Sequence, residues 1–289
     1  MKTKNTIPSV NFHLWEPCNF SCKFCFATFQ DVKKTLLPKG HLPKKDALTI
    51  VNKLSEAGFS KITFVGGEPT LCPWIGDLIL RAKVNGLTTM IVTNGSGITE
   101  QFLNTVYKSL DWVVISIDSL LPGINKVIGR SNANRLIPDE SYYSEKVKLV
   151  HQFGIKLKIN TVVNKYNFQD ESLSDFIHAS RPKRWKVFKA LKVIGQNDEF
   201  FNDVNVNDEQ FEKFLSLNKV TGISYAVIED NEDMTGTYAM VDPAGRFFDN
   251  TNGAHTYSNP ILEVGVDAAL KEITVYYSKF LERGGLYDW

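Results

Sequence analysis

The chain has 289 residues, 43% of them hydrophobic and 22% charged, with a formal net charge of +1. That length suits one large α/β domain or two average ones, and the apolar content is enough for a full core, which excludes a chain disordered by composition. The near-neutral balance excludes bulk electrostatic binding to nucleic acid or to an anionic membrane. No apolar run has the length of a membrane-spanning helix, and the polar start, Met1 to Pro8, lacks the apolar region of a secretory leader.

In chain order, apolar or β-branched runs predict strands at Val10–Trp15, Lys61–Val65, Thr88–Thr93, Trp112–Ile117, Lys156–Val163 and Arg184–Leu191. Helical spacing falls between them at Lys44–Ala57, Pro73–Asn85, Thr99–Ser109, Ser141–Phe153 and Asp170–Ala179, with Gly58, Gly86 and Gly154 just past three of the ends. Six strands alternating with five helices give an α/β fold of right-handed βαβ units on a parallel sheet, compatible with a closed or an open barrel. Beyond Leu191 the rhythm changes. Asp208–Leu217 and Val266–Ile273 read as helices, Tyr225–Ile228 and Tyr238–Val241 as short strands, and "DPAGRF" (Asp242 to Phe247) as a turn. We divide the chain at 191, with residues 192–289 as an extension packed on the barrel.

The stretch "EPCNFSCKFCF", Glu16 to Phe26, sets Cys18, Cys22 and Cys25 at x3 and x2 spacing, and the only other cysteine is Cys72. Four cysteines distributed this way make a poor disulfide framework and point to a reducing cytoplasm. The spacing could place three core thiols on one helix face, but Pro17, Asn19 and Ser21 favour a loop. A structural zinc site needs four closed ligands, and the second half of such a site is missing. A [4Fe–4S] cluster normally takes four thiolates, so three would leave one iron open to a substrate or cofactor.

CxxxCxxC directly after the first strand of a βα repeat resembles the radical S-adenosylmethionine superfamily. The resemblance implies a [4Fe–4S] cluster on Cys18, Cys22 and Cys25, with the methionyl end of S-adenosylmethionine on the open iron and a 5′-deoxyadenosyl radical as the reactive species. "VGGEP" (Val65 to Pro69), "TNG" (Thr93 to Gly95), "ISID" (Ile115 to Asp118) and "IGR" (Ile128 to Arg130) follow in order. All stand at or just past the carboxyl ends of parallel strands, where such sheets build their sites. The two glycines of VGGEP would let a ligand approach the backbone closely.

Three strands carry an unusual alternation. Lys61 and Thr63, Lys158 and Asn160, and Arg184 and Lys186 each share a face opposite an apolar one. The apolar faces belong under the covering helices, which turns the cations into the lumen. Barrel lumens are normally filled by Val, Ile and Leu, and a buried unpaired cation is costly, so the pattern predicts a bound polyanion, most simply a triphosphate. The competing reading places the cations at solvated strand ends, and Lys61, first on its strand, is the most open to it.

Over nearly its whole length the chain is similar to the viperin family, through "VNFHLW", "CNFSCKFCFAT", "EAGFSKITFVGGEP", "NKVIGR", "KINTVVNKYN", "RWKVFKAL", "ILEVGVDAA" and "LERGGLYDW". This resemblance implies a partial (βα)6 TIM-like barrel whose extension covers a nucleotide site. It implies conversion of a ribonucleoside triphosphate to its 3′-deoxy-3′,4′-didehydro analogue, an antiviral chain terminator. CTP stands ahead of UTP; GTP, another type of radical enzyme, and a non-catalytic nucleotide-binding metalloprotein are the alternatives. Gly67 and Glu68 would meet the cofactor's amine, and Ser116 and Arg130 its carboxylate, with Asn94 beside them. Lys61, Thr63, Lys158, Asn160, Arg184 and Lys186 would hold the triphosphate, although Thr63 replaces an Asn of the animal enzymes. Glu229 would approach the base, and Tyr238 would lie near the nucleotide as the candidate catalytic group. The implied partners are a one-electron reductant such as flavodoxin or ferredoxin and the iron–sulfur assembly machinery. We expect a cytoplasmic monomer that touches neither nucleic acid nor membrane.

Overall fold

The computed structural model describes residues 7–132 and 136–289, so Met1 to Thr6, in the polar start discussed above, lie outside the described residues. The six strands expected from alternation are present: β1 Ser9–Trp15, β2 Lys61–Gly66, β3 Thr88–Thr93, β4 Trp112–Ser116, β5 Lys156–Val163 and β6 Arg184–Lys189. Each pairs in parallel with the next. The helices between them sit close to the expected spans, at Lys44–Glu56, Ile75–Val84, Glu100–Val106, Glu140–Gln152 and Leu173–Ser180. Side-chain caps explain two of their starts. Thr99 accepts from the Phe102 amide, and Asp139 from the Tyr142 amide.

Those helices bury one apolar stripe each against one face of the sheet. Ile50, Val51 and Leu54 of the first, and Leu78, Ile79 and Ala82 of the second, pack with Ile62, Phe64, Ile91 and Val113 in the main core. Each such aliphatic side chain contributes about 1.5–3 kcal/mol on burial. Trp185 is also fully buried on this face, and its indole N–H donates to Thr161 Oγ1 at 3.0 Å.

The residues beyond 191 do more than cover this barrel. They supply β7 Ala226–Glu229, which pairs in parallel with β6, and β8 Ala239–Val241, which pairs in parallel with β1. β9 Arg246–Asp249 and β10 Thr256–Pro260 then add antiparallel edges. The sheet order is β10-β9-β8-β1-β2-β3-β4-β5-β6-β7, an open sheet with β10 and β7 at its ends. The predicted turn joins β8 to β9, where Asp242 accepts from the amides of Ala244 and Arg246. The expected last helix is shorter, Val266–Leu270, and a further helix at Tyr277–Glu282 carries the chain back under the barrel. No helix among the described residues is long and apolar enough to cross a membrane.

Candidate active site

The lumen opens into a cavity of about 700 Å³ lined by alternate residues of β1 to β6. Lys61 and Thr63 face it from β2, Lys158 and Asn160 from β5, and Arg184 and Lys186 from β6. Strand register sets Lys158 beside Arg184, and Asn160 between Ser116 and Lys186. The solvated-end alternative therefore fails: Lys61 is 6% exposed, Lys158 8%, Arg184 9% and Lys186 4%.

A fifth buried cation, Arg283, joins them from the end of the Tyr277–Glu282 helix. Among the described residues, one buried carboxylate stands against these five at this end of the cavity, Glu229 on β7. It pairs with Lys186 and, at 3.0 Å, with Arg283, and it accepts a short hydrogen bond from the Tyr238 hydroxyl. Burial pushes the Glu229 carboxyl up, but the charges of Lys186 and Arg283 overcome that and hold it down at about 2. Burial pulls the Lys186 ammonium down to about 7, with Glu229 opposing. Lys61 and Lys158 are driven well below the lysine range by desolvation and then by their like-charged neighbours. The Lys158 ammonium makes no hydrogen bond or ion pair among the described residues. Asn160 Oδ1, Arg184 Nε and Arg283 Nε are likewise buried without partners. Cations and orphaned polar atoms concentrated in this way suit a bound polyanion.

The chain's last residues close the bottom of the lumen. Arg184 donates to the Gly284 carbonyl at 2.7 Å and lies 4.1 Å from the centre of the Tyr287 ring. The Lys61 ammonium lies 4.9 Å from the Tyr287 ring and 4.3 Å from that of Trp289.

At the opposite end, the cysteine loop leaves β1 and is stitched to three strand ends. The amides of Gly67 and Glu68 donate to the carbonyls of Trp15 and Pro17 at 2.5 and 3.0 Å. A Cβ at Gly66 would collide with the Trp15 carbonyl, and one at Gly67 with the carbonyls of Glu16 and Pro17. The close approach that requires these glycines is made by the protein's own backbone, and both still border the cavity. From β3, Asn94 Nδ2 donates to Asn19 Oδ1 at 2.8 Å, and Asn19 donates on to Ser96 Oγ at 3.0 Å. From the segment after β4, the carbonyls of Ile128 and Gly129 accept from the amides of Lys23 and Ser21, both at 3.0 Å. Gly129 holds φ +77°, and a Cβ there would strike the Ser21 carbonyl.

Two charged residues of these motifs are used internally. Glu68 is 1% exposed; its carboxylate accepts from the Thr93 hydroxyl and the Asn94 amide, both at 2.8 Å, and from the Thr70 amide at 3.0 Å. It ties the β2 end to the β3 end and is absent from the cavity wall, where Gly67, Asn94, Ser116 and Arg130 do appear. Arg130 Nε forms a buried ion pair with Asp118, whose other oxygen accepts from the Val162 amide at 2.8 Å.

The radical SAM superfamily model matches residues 15–177. A protein named S-adenosylmethionine-dependent nucleotide dehydratase from Flammeovirga pacifica is 53% identical over 285 residues, covering 99% of this chain and 97% of that one. One of the same name from Lacinutrix mariniflava is 52% identical over 98% of this chain and 59% of its own. The S-adenosylmethionine-dependent nucleotide dehydratase RSAD2 of Danio rerio is 34% identical over 98% of this chain and 79% of its own. The chain belongs to the viperin family of radical S-adenosylmethionine enzymes. Among solved structures, native anSMEcpe with bound AdoMet shares the fold at a TM-score of 0.69 and 15% identity, over 95% of this chain and 82% of that one.

The donor set fits the cluster that this superfamily uses. Cys18, Cys22 and Cys25 all line the cavity. Burial pushes the Cys22 thiol up to about 12 and raises Cys25 as well, so holding either as a thiolate requires a compensating positive charge. Among the described residues, no three or more His, Cys, Asp and Glu side chains, these cysteines included, are gathered closely enough to hold a metal ion, so the fit rests on the three soft sulfur donors and their shared place on the cavity wall. Cys72 is 1% exposed in the main apolar core, away from this loop.

Two placements depart from expectation. Glu229 is fully buried and off the cavity wall, where it serves as the counter-charge of the lumen; pairing with two cations is what keeps it there. Glu68 is consumed by hydrogen bonds to its own strand ends. Sequence reasoning also missed Arg283, Tyr287 and Asp118. "LERGGLYDW" and "ISID" were noticed as motifs, but a charged helix end and a strand-end carboxylate carry no local sign of burial.

Proposed function

We propose that this chain dehydrates a ribonucleoside triphosphate to its 3′-deoxy-3′,4′-didehydro analogue, with CTP ahead of UTP, and that the product terminates polymerase chains in antiviral defence. One observation carries the reading: five buried cations face one buried carboxylate at one end of a cavity whose other end is the three-cysteine loop. The names of its relatives, which describe nucleotide dehydratases, agree with it. The cavity must hold a nucleoside cofactor together with the substrate, and a single-ring base makes the smaller demand on that shared space.

In this reading Cys18, Cys22 and Cys25 hold a [4Fe–4S] cluster, while Gly67, Asn94, Ser116 and Arg130 line the S-adenosylmethionine site. When bound, these groups supply one-electron cleavage of the sulfonium and a carbon radical that takes a hydrogen atom. The chain's own task is placement. Lys61, Lys158, Arg184, Lys186 and Arg283 grip the triphosphate, with Thr63 and Asn160 between them, and so fix the ribose between the two ends of the cavity. A displacement of about 1 Å can cost roughly a hundredfold in rate. Loss of hydrogen from C4′ and of the 3′-hydroxyl as water requires one proton and one electron. Tyr238 Oη, which donates to Glu229 and accepts from Lys186 Nζ at 2.7 Å, is placed to hold that proton. A flavodoxin or ferredoxin supplies the electron.

The test is anaerobic incubation of the iron-loaded protein with S-adenosylmethionine, reductant and each of the four ribonucleoside triphosphates. One nucleotide should stimulate 5′-deoxyadenosine and lose the mass of water. If cofactor cleavage ignores every nucleotide and none is dehydrated, the proposal is wrong.

A further inference from the structure

The histidine of "VNFHLW" has no role in the reaction described above. His13 lies on β1, is 4% exposed and borders the cavity. Both of its ring nitrogens are buried without a hydrogen-bond partner. Its ring packs edge-on against Phe26, Phe29 and Phe248, with centroids at 6.2, 5.2 and 5.4 Å. A histidine used only for packing there would be better replaced by phenylalanine or leucine, because buried polar groups in native folds are overwhelmingly paired. A group bound in the cavity, which His13 borders, can supply the missing partner.

Position along the strand says which part of a ligand that is. Ser9 pairs with Lys61, Asn11 with Thr63 and His13 with Val65, all on the lumen face. At about 3.3 Å per residue, His13 stands roughly 13 Å above the Lys61 level, toward the cysteine loop. A triphosphate gripped at the Lys61 end puts its nucleoside at this height. Phe26 and Met240, which also border the cavity, belong to the same apolar cluster as Phe29 and Phe248. An apolar wall carrying one neutral donor–acceptor ring matches a nucleobase, which has two apolar faces and a polar edge.

We propose that His13, on the wall formed with Phe26 and Met240, is the residue that hydrogen-bonds the edge of the substrate's base. This rests on the nucleotide reading above. Burial, with the nearby charge of His255, drops the imidazole to about 3, so it stays neutral and offers one donor and one acceptor at any working pH. It positions the base and is no acid for the departing hydroxyl. S-adenosylmethionine also carries a nucleobase, so the test must separate the two.

Calorimetry on the anaerobically reconstituted wild-type protein and His13→Phe, using CTP, ribose 5-triphosphate, inorganic triphosphate and S-adenosylmethionine, does so. His13→Phe should melt no lower than wild type and bind CTP about tenfold more weakly, the worth of one neutral hydrogen bond. Its binding of ribose 5-triphosphate and S-adenosylmethionine should not change, and His13→Gln should recover part of the CTP loss. Unchanged CTP affinity, equal weakening of ribose 5-triphosphate, or weakening of S-adenosylmethionine would each overturn the assignment. Should His13→Phe fail to fold, wild type must still bind CTP more tightly than ribose 5-triphosphate; equal affinities overturn it. If inorganic triphosphate does not bind wild type, the polyanion reading fails and this subsite with it. Failure of the base arm alone leaves the triphosphate grip standing.

Discussion

Replacing Lys158 by methionine should move stability and binding in opposite directions. In the nucleotide-free protein Lys158 is 8% exposed, its ammonium is without a hydrogen bond or ion pair among the described residues, and Lys186, Lys61 and Arg184 repel it. Methionine fills much of the same volume without the desolvation or the repulsion. Swaps of buried charge for apolar side chains gain about 1–4 kcal/mol, and because a lysine can shed its proton the gain here should sit near the low end, about 1 kcal/mol. In a chain of this size that is a rise in Tm of about 2–4 °C. With nucleotide bound, the variant lacks one charge-assisted hydrogen bond to phosphate, about 1.5–3 kcal/mol, or roughly ten- to a hundredfold in Kd. Scanning calorimetry with and without CTP reads both effects, since ligand stabilisation follows RT ln(1 + [L]/Kd). The variant should melt higher when empty and show a smaller nucleotide shift than wild type. A lower Tm in the empty protein would mean that Lys158 supports the fold, and the argument for a polyanion site would lose its main support.

Gly67→Ala pushes a Cβ into the carbonyls of Glu16 and Pro17, directly before Cys18. Iron bound per chain after anaerobic reconstitution should fall well below wild type, while Gly123→Ala, which meets nothing within 4 Å, should load normally; equal loading of both would refute the role given to Gly67. The lowered lysines also make a pH prediction. Lys186 sits at about 7 when folded against 10.5 as the free side chain, so between those values the unfolded chain holds more protons and nucleotide-free stability rises with pH. CTP binding, which favours the ammonium over the pull of burial, Arg283 and Arg184, should take up protons at pH 8, read by calorimetry in buffers of different ionisation enthalpy; zero uptake or net release would contradict it.

The strands and their two faces were legible because alternation is local. Lys61 with Thr63, and Lys158 with Asn160, declare a polar face within four residues, and the apolar residues between them leave only one way to face the helices. The lumen's counter-charge was not legible. Glu229 lies on a four-residue strand whose parallel partner is β6, and Arg283 arrives from a helix near the end of the chain. Pairings at such sequence separations leave no periodic trace. The glycines of VGGEP were legible as a place of close approach, but the chain segment that packs on them was not, since a local sequence does not say which segment passes nearby.

The motif placements also change how variants of this site must be interpreted. The segments containing Gly67, Asn94 and Gly129 each bond to the loop that carries Cys18, Cys22 and Cys25, and a Cβ at Gly67 or Gly129 would strike that loop. The same segments supply the wall on which the cofactor would lie. A substitution there moves the thiols and the cofactor wall together, so lost activity alone cannot distinguish a damaged cluster from a damaged cofactor contact. Residues of the lumen are different. Lys158 and Arg184 bond to none of the loop, and their loss should leave iron content intact. Iron content therefore divides the cavity into two functional halves, and Tyr238 belongs to the lower one, because both of its hydroxyl's partners, Lys186 and Glu229, are members of the lumen network.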